Sequence, residues 1–181
     1  MTIDIRAIST PVAAPLVDGL IDLLLDVVRG GASVSFMWPF ERAEAEAFWR
    51  RVLASVGTPG GPVVLVAEAD GRVAGSVQLH PAWPPNQPQR ADVAKLLVHS
   101  DFRRRGIARA LMLALEQEAR RMKRSLLTLD TVTGSAADRL YRSLGYIECG
   151  EIPRYAMMPD GSWCGTTIFY KQLSERVDAG A

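Results

Sequence analysis

The chain has 181 residues and carries 21 Lys and Arg against 20 Asp and Glu, so its net charge is close to neutral. This balance argues against general nucleic-acid binding, which needs a broad basic surface. The length suits one domain with a substantial core, which we expect at 1–173, followed by a flexible tail at 174–181. No signal pattern and no apolar run of membrane-spanning length is present, so we expect a cytoplasmic protein without membrane contact.

The predicted elements, in chain order, are a strand at 2–7, helices at 12–29 and 41–55, strands at 63–69, 73–79 and 91–98, a helix at 107–122, a strand at 125–131, a helix at 135–144, and strands at 146–157 and 166–173. Gly30 and Gly31 end the first helix. Asp70-Gly71 is a hairpin turn signal between two strands. This order predicts an α+β or mixed α/β domain built on one sheet.

Two connections in the first half contain large aromatic residues. The segment 30–40 holds Phe36 and Trp38 between two helices, and it is either a hydrophobic plug over the core or a wall of a substrate pocket. The proline-rich segment 81–89 is predicted to be a loop, and Trp83 within it can border an acceptor.

Metal and disulfide chemistry have little support in the sequence. The two cysteines, Cys149 and Cys164, fit neither a disulfide framework nor a metal site, which indicates a reduced compartment. His80 and His99 are the only histidines, too few for a zinc site. We therefore predict no metal, and we interpret His80 as a solvated residue at a strand end.

The most informative stretch runs from Val93 to Met112. An apolar strand leads into the basic turn 103–105, which is followed by Gly106 and an amphipathic helix. The first N–H groups of a helix have no internal partner, and the helix dipole adds positive charge there. The turn is therefore an anion site. It lacks both the P-loop Gly-Lys-Ser/Thr ending and the dinucleotide fingerprint, so it suits the pyrophosphate of another cofactor.

The residues Arg103-Arg104-Arg105-Gly106-Ile107-Ala108 resemble the Gln/Arg-x-x-Gly-x-Gly/Ala signature of the GNAT superfamily of N-acetyltransferases. The segment 140–146, LYRSLGY, resembles the tyrosine-bearing segment of that family, and the element order matches it over nearly the whole chain. Within the superfamily, segments 30–37, 93–98, 123–131, 159–161 and 166–171 resemble the tabtoxin-resistance acetyltransferases. The resemblance implies a single, mostly antiparallel, twisted sheet of about seven strands with about four helices.

The resemblance also implies acetyl-CoA as co-substrate. Backbone amides from Arg104 to Arg109 are expected to hold its pyrophosphate, and Leu97 and Val98 to offer backbone groups to the pantetheine arm. The family often has Asn where this chain has Gly134, and Ser135 can replace it. The expected cofactor-binding residues are Leu97, Val98, Arg103, Arg104, Arg105, Gly106, Ile107, Ala108, Arg109 and Ser135.

Acetyl transfer needs a base for the acceptor, a donor for the oxyanion and an acid for the thiolate. By family analogy Tyr141 supplies the acid, although its helical face also suits a core tyrosine. Asp92 and Asp130 are candidate bases or acceptor-positioning groups, and by resemblance both face the acceptor. Alternatively, each is a strand-end aspartate bonded to backbone, and a water carries the proton.

The resemblance implies transfer of acetyl to an amino or hydroxyl group of a small molecule, such as a toxin or an antibiotic of the tabtoxinine-like β-lactam type. The acceptor-binding candidates are Phe36, Trp38, Trp83, Asp92 and Asp130. A protein N-terminal or lysine acetyltransferase and a non-catalytic acyl-CoA-binding sensor are the alternatives. A homodimer is compatible with the exposed aromatic residues.

Overall fold

The computed structural model describes residues 2–10 and 12–173 of the chain. Its strands are β1 (Ile3–Ala7), β2 (Val63–Ala69), β3 (Arg72–Pro81), β4 (Arg90–Val98), β5 (Leu126–Val132), β6 (Ile147–Met157) and β7 (Trp163–Gln172). Its helices are α1 (Ala14–Arg29), α2 (Arg42–Ser55), α3 (Ile107–Arg121) and α4 (Ala136–Ser143), with a short 3₁₀ helix at Ser100–Phe102. The predicted tail at 174–181 lies outside the described residues.

The seven strands form one sheet in the order β1-β2-β3-β4-β5-β7-β6. Every neighbouring pair is antiparallel except β4 and β5, which run parallel and are connected through α3. A parallel pair needs such a crossover because its strands begin at the same edge of the sheet. The predicted fold class, a mostly antiparallel sheet of about seven strands with about four helices, is confirmed.

The helices cover the sheet on both faces, and each face has its own apolar core. One core, on the side of α3 and α4, includes Leu111, Leu115, Leu127, Tyr141 and Phe169. The other, on the side of α1 and α2, includes Leu20, Leu24, Trp49, Val66 and Leu97. Among the described residues, no helix is both long and apolar enough to cross a membrane.

Gly75 in β3 lets α3 approach the sheet closely. A Cβ atom at this position would lie 2.7 Å from the carbonyl oxygen of Leu97 and 3.1 Å from the side chain of Leu111. Only glycine avoids that overlap, so the backbone of β3 and β4 can sit directly against the start of α3. The anchoring residue Ile107, the first of α3, is buried there.

Three boundaries differ from the sequence prediction by two or more residues: α1 begins at 14 rather than 12, β7 at 163 rather than 166, and β3 ends at 81 rather than 79. Pro81 was expected to begin a loop, but it continues β3 and pairs with Ala91 of β4. The neighbouring strand β2 ends its pairing at Leu79, so the missing N–H of proline breaks no ladder bond on that side. This extension also makes His80 part of the sheet.

Candidate active site

A gap opens between β4 and β5. These parallel strands pair only at Arg90↔Leu126, Ala91↔Leu127 and Asp92↔Thr128, although both strands continue for several residues beyond those positions. Past Asp92, the edge of β4 that faces β5 has no ladder partner in the described chain. The gap therefore offers backbone N–H and C=O groups to an inserted ligand.

A bulge in β4 lies beside this gap. Between the paired positions Gln78↔Ala94 and Ser76↔Leu97, β4 has two residues where β3 has one. Lys95, at the bulge, has a φ of 51°, which a non-glycine residue rarely adopts. Leu97 lies beyond Asp92, the last residue of β4 that pairs with β5, and therefore where the gap is open. The prediction that backbone groups of Leu97 and Val98 contact the pantetheine remains a prediction compatible with this geometry.

The arginine turn connects the end of β4 to α3. Arg104 and Gly106 both have left-handed backbone conformations, with φ values of 61° and 79°. The first backbone bond into α3 is donated by Ala110 to the carbonyl of Gly106 at 3.0 Å. The N–H groups of Ile107 and Ala108 consequently have no partner within the helix and point from its positive end. The turn has the form of an anion site.

The arginine side chains of this region differ in what they contact. Nε of Arg103 lies 3.4 Å from the carbonyl oxygen of Val98, and its guanidinium lies close to Gly30 at the end of α1. Nη2 of Arg109 donates to the hydroxyl of Ser143 at 2.8 Å. Arg103 thus braces the turn against β4 and α1, and Arg109 links α3 to α4.

Tyr141 lies in α4 with its ring buried against two other aromatic rings. The ring centroids of Tyr146 and Phe169 lie 5.7 and 6.1 Å from it. Burial, with the negative charge of Asp130 adding to it, raises the pKa of Tyr141 above its usual value. The hydroxyl therefore stays protonated at neutral pH, and it has no hydrogen-bond partner in the described chain. The interpretation of Tyr141 as a core residue is confirmed. Its role as the acid stays a prediction, and a buried ring that carries an unbonded hydroxyl is compatible with it.

Asp92 and Asp130 lie on the same face of the sheet, the one that α1 and α2 cover. Asp92 accepts short hydrogen bonds from Nη1 of Arg90 and from the hydroxyl of Thr128. Asp130 follows Thr128 by two residues along β5, about 7 Å, and so points to the same side. Its charge acts on both Tyr141 and Lys95. The structure thus brings the two carboxylates to the gap.

His80 belongs to this cluster, which corrects its interpretation as a solvated strand-end residue. It pairs directly opposite Asp92. Its Nε2 lies 2.9 Å from Oε1 of Gln78, whose side chain is only 1% exposed. Burial lowers the pKa of His80; Asp92 opposes that shift and Lys95 adds to it. Because an amide oxygen only accepts, Nε2 donates, and Nδ1 of the neutral ring keeps a lone pair.

The three aromatic residues predicted to bind the acceptor, Phe36, Trp38 and Trp83, lie in different environments. Phe36 packs against Phe40 and Phe48 with centroid distances of 4.6 and 5.3 Å, so the 30–40 segment does form an apolar plug. Trp38 is 54% exposed and donates its backbone N–H to the carbonyl of Pro159 at 3.0 Å. Trp83 is 90% exposed. That these three bind the acceptor remains a prediction.

Ser135 is the N-cap of α4, as the sequence predicted. Its hydroxyl oxygen accepts from the backbone N–H of Asp138 at 3.2 Å and lies 3.5 Å from the hydroxyl of Thr131. Asp138 in turn accepts from the N–H of Gly134 at 2.9 Å. The hydroxyl oxygen of Ser135 is therefore already engaged as a helix cap. That the Ser135 side chain also contacts the pantetheine arm stays a prediction.

Sequence reasoning missed Lys95, Gln78 and Thr128 as neighbours of the site. Lys95 is the only charged residue within the apolar run 93–98, and that interruption was the available signal. Gln78 and Thr128 are polar residues with apolar residues on either side. Such residues need partners when buried, so they mark a polar cluster even before its position is known.

Comparison with known proteins assigns the family. A profile of the Acetyltransferase (GNAT) family matches residues 26–146. Human N-acetyltransferase 8 is 37% identical over 93 residues, which are 50% of this chain and 41% of that protein. The chain thus spans about two fifths of the length of this curated relative.

Solved structures share the fold. A ribosomal-protein-alanine N-acetyltransferase from Brucella melitensis is 25% identical, with a TM-score of 0.72 over 93% of this chain and 99% of that chain. The Salmonella typhimurium protein yncA, solved with its cofactor acetyl-CoA, is 20% identical, with a TM-score of 0.73 over 100% of this chain and 99% of that chain. The sheet, the gap and the arginine turn thus agree with the family match, and the chain belongs to the GNAT family of acetyltransferase enzymes.

Proposed function

We propose that this chain transfers an acetyl group from acetyl-CoA to an amino group of a small molecule, with a hydroxyl acceptor as the variant of the same chemistry. The observation that carries the proposal is the gap between β4 and β5. One end of it meets the arginine turn, and the other lies between Tyr141 and the cluster of His80, Asp92 and Asp130.

Each part of acetyl-CoA has a candidate partner along this path. The free N–H groups that open α3 and the flanking arginines suit the pyrophosphate. The unpaired edge of β4 suits the amides of the pantetheine arm, in the manner of an added strand. Backbone N–H groups near Leu97 and Val98 then lie where the thioester oxygen gains negative charge. The yncA protein, which shares the fold, was solved with acetyl-CoA as its cofactor, and this supports acetyl-CoA as the co-substrate.

The reaction is a direct transfer. The acceptor nitrogen forms a bond to the thioester carbon, and the C–S bond breaks after a tetrahedral intermediate. The proton lost by the acceptor goes to Asp92, Asp130, Nδ1 of His80 or a water among them. Tyr141 gives its proton to the departing thiolate and is reprotonated from solvent. The phenol of Tyr141 is protonated at neutral pH, and the burial that raises its pKa disfavours a lasting tyrosinate, so the proton has to be replaced from solvent as it leaves.

A toxin or an antibiotic is the finer proposal for the acceptor, a tabtoxinine-like β-lactam included. It rests on the resemblance of sequence segments. A protein N-terminus is the second candidate, and the 25% identity to a ribosomal-protein-alanine N-acetyltransferase favours it. A peptide panel and a small-amine panel, compared by kcat/KM, distinguish the two.

The decisive test measures free thiol released from acetyl-CoA by the wild type and by Tyr141→Phe. We expect Tyr141→Phe to lower kcat about 100-fold, with the Kd of acetyl-CoA unchanged within about twofold. Tyr146→Phe is the matched control, because this buried tyrosine packs on Tyr141 and is expected to keep its kcat. A Tyr141→Phe enzyme as fast as the wild type removes the proton-donor role. A wild type that binds acetyl-CoA without turnover on any acceptor favours the sensor alternative.

A further inference from the structure

Lys95 is held in an unusual place. The bulge in β4 fixes its backbone at a φ of 51°, and its side chain is half-buried on the face that α1 and α2 cover. A left-handed conformation costs a lysine about 1–2 kcal/mol, so the surrounding structure must impose it. Positions of this kind are common where a side chain is aimed at a functional site.

The Lys95 ammonium makes few contacts within the protein. Nζ donates to the hydroxyl of Ser35 at 2.9 Å and lies 5.9 Å from the ring centroid of Phe36. An ammonium has three donors, and Ser35 takes one of them. No carboxylate of the described residues lies within ion-pair distance of Nζ, although Asp130 acts on it from farther away. The other donors are available to a ligand.

The neighbouring arginine is already engaged. Arg90 donates to Gln87 at 2.7 Å, to Asp92, and to the hydroxyl of Thr128 at 3.2 Å. The positive charge of Arg90 is therefore paired with the carboxylate of Asp92. Lys95 differs, because its positive charge faces the acceptor side of the gap without a paired anion.

We propose that Lys95 and Ser35 form a subsite for a carboxylate of the acceptor, so that the acceptor is zwitterionic, with its amine at Asp130 and Asp92. This inference rests on the proposed acetyl transfer to a small amine. The carboxylate accepts from the Lys95 ammonium and from the Ser35 hydroxyl, which rotates to donate. The aromatic face of Phe36 stays against the ammonium and keeps bulk water away from the pair.

The test uses matched acceptors with the full chain and saturating acetyl-CoA. Each α-amino acid of a panel is compared with its own carboxamide, which keeps the amine and removes the negative charge. We expect the wild type to prefer the carboxylates by at least about tenfold in kcat/KM. Lys95→Met is expected to abolish that preference through a raised KM for carboxylates, with the carboxamides little changed. Lys95→Arg is expected to restore part of it.

Lys123→Met is the control, because Lys123 is exposed at the end of α3 and its loss changes the net charge equally. It is expected to keep the full preference. Turnover of carboxylates and carboxamides at equal rates by the wild type would overturn the subsite and leave acetyl transfer intact. So would an equal loss for both classes in Lys95→Met. Absence of turnover with every amine would instead overturn the proposed function, and the subsite with it.

Discussion

The carboxylate of Asp26 in α1 accepts both the backbone N–H and the hydroxyl of Ser100, at 2.7 and 2.6 Å. Ser100 begins the short 3₁₀ helix that leads into the arginine turn, so this pair of bonds ties the approach to the turn to α1. Burial opposes ionisation, yet the hydrogen bonds from Ser100 and the nearby charges of His99 and Arg103 hold the pKa of Asp26 below its usual value. The carboxylate is therefore a fixed anchor at neutral pH.

Asp26→Ala is expected to lower the free energy of unfolding by about 2 kcal/mol, because Ser100 loses a charged acceptor. It is also expected to raise the Kd of acetyl-CoA several-fold, because the turn becomes less ordered. Denaturant unfolding and titration with acetyl-CoA measure the two effects. Asp22→Asn is the control, since Asp22 is on the same helix in an exposed ion pair with Arg42. An equal effect in both variants would contradict the anchoring role.

Gly106→Glu and Gly106→Gln form a matched pair at the start of α3. Both side chains have open space at Cβ, and both incur the strain of a φ of 79°, about 1 kcal/mol. Only Glu adds a negative charge where the pyrophosphate is proposed to bind. We therefore expect a Kd for acetyl-CoA about tenfold higher for Glu than for Gln, with equal unfolding free energies. Equal Kd values would place the pyrophosphate elsewhere.

Ser135→Ala removes the cap of α4 and is expected to cost about 1 kcal/mol of stability. Ser135→Asp is expected to restore that stability, because aspartate is an equally good N-cap. If the hydroxyl also contacts the pantetheine arm, the KM of acetyl-CoA rises in both variants. A wild-type KM in Ser135→Asp would leave the residue with its capping role alone.

The lowered pKa of His80 makes a prediction about stability and pH. The unfolded chain protonates this histidine below about pH 6.5, whereas the folded chain resists protonation. The unfolded state then binds more protons, so the free energy of unfolding falls as pH falls below that value. His80→Gln is expected to flatten this part of the curve. Denaturant unfolding at pH 8, 7, 6 and 5 checks it, and parallel curves for the two proteins would contradict the assignment.

The order of the elements could be predicted because each has a clear period or stop signal. β2 has the predicted bounds, 63–69, since turn residues lie on both sides of it. The hairpin after it was predictable because Asp70 and Gly71 are residues that tolerate the positive φ values, 52° and 74°, that they adopt. Pro81 was misplaced because its pairing with Ala91 of β4, which the local sequence does not show, overrode the loop signal.

The cluster of His80, Asp92 and Asp130, with Lys95 beside it, was predictable only in part. Resemblance indicated Asp92 and Asp130, and the structure brings both to one face. The position of Lys95 was not predictable, because it depends on the register of β4 against β3 and on the bulge. Lys95 interrupts the apolar run 93–98, which marks the residue as unusual, but the interruption does not show that a bulge lies there or which face the side chain takes. The contacts of Arg90 and Asp92 with Thr128 likewise depend on a pairing between strands.

The gap between β4 and β5 also has a consequence for the dynamics of the protein. In the part of the chain that the structure describes, only three ladder pairs join β4 to β5. Beyond them, backbone amides on the open edge of β4 exchange with solvent unless a ligand covers them. A ligand that bridges this edge adds RT ln(1 + [L]/Kd) to the stability of the fold. Bound acetyl-CoA would thus take the place of a strand along the open edge of β4. The stability of the connection between the two halves of the sheet would then depend on the concentration of acetyl-CoA.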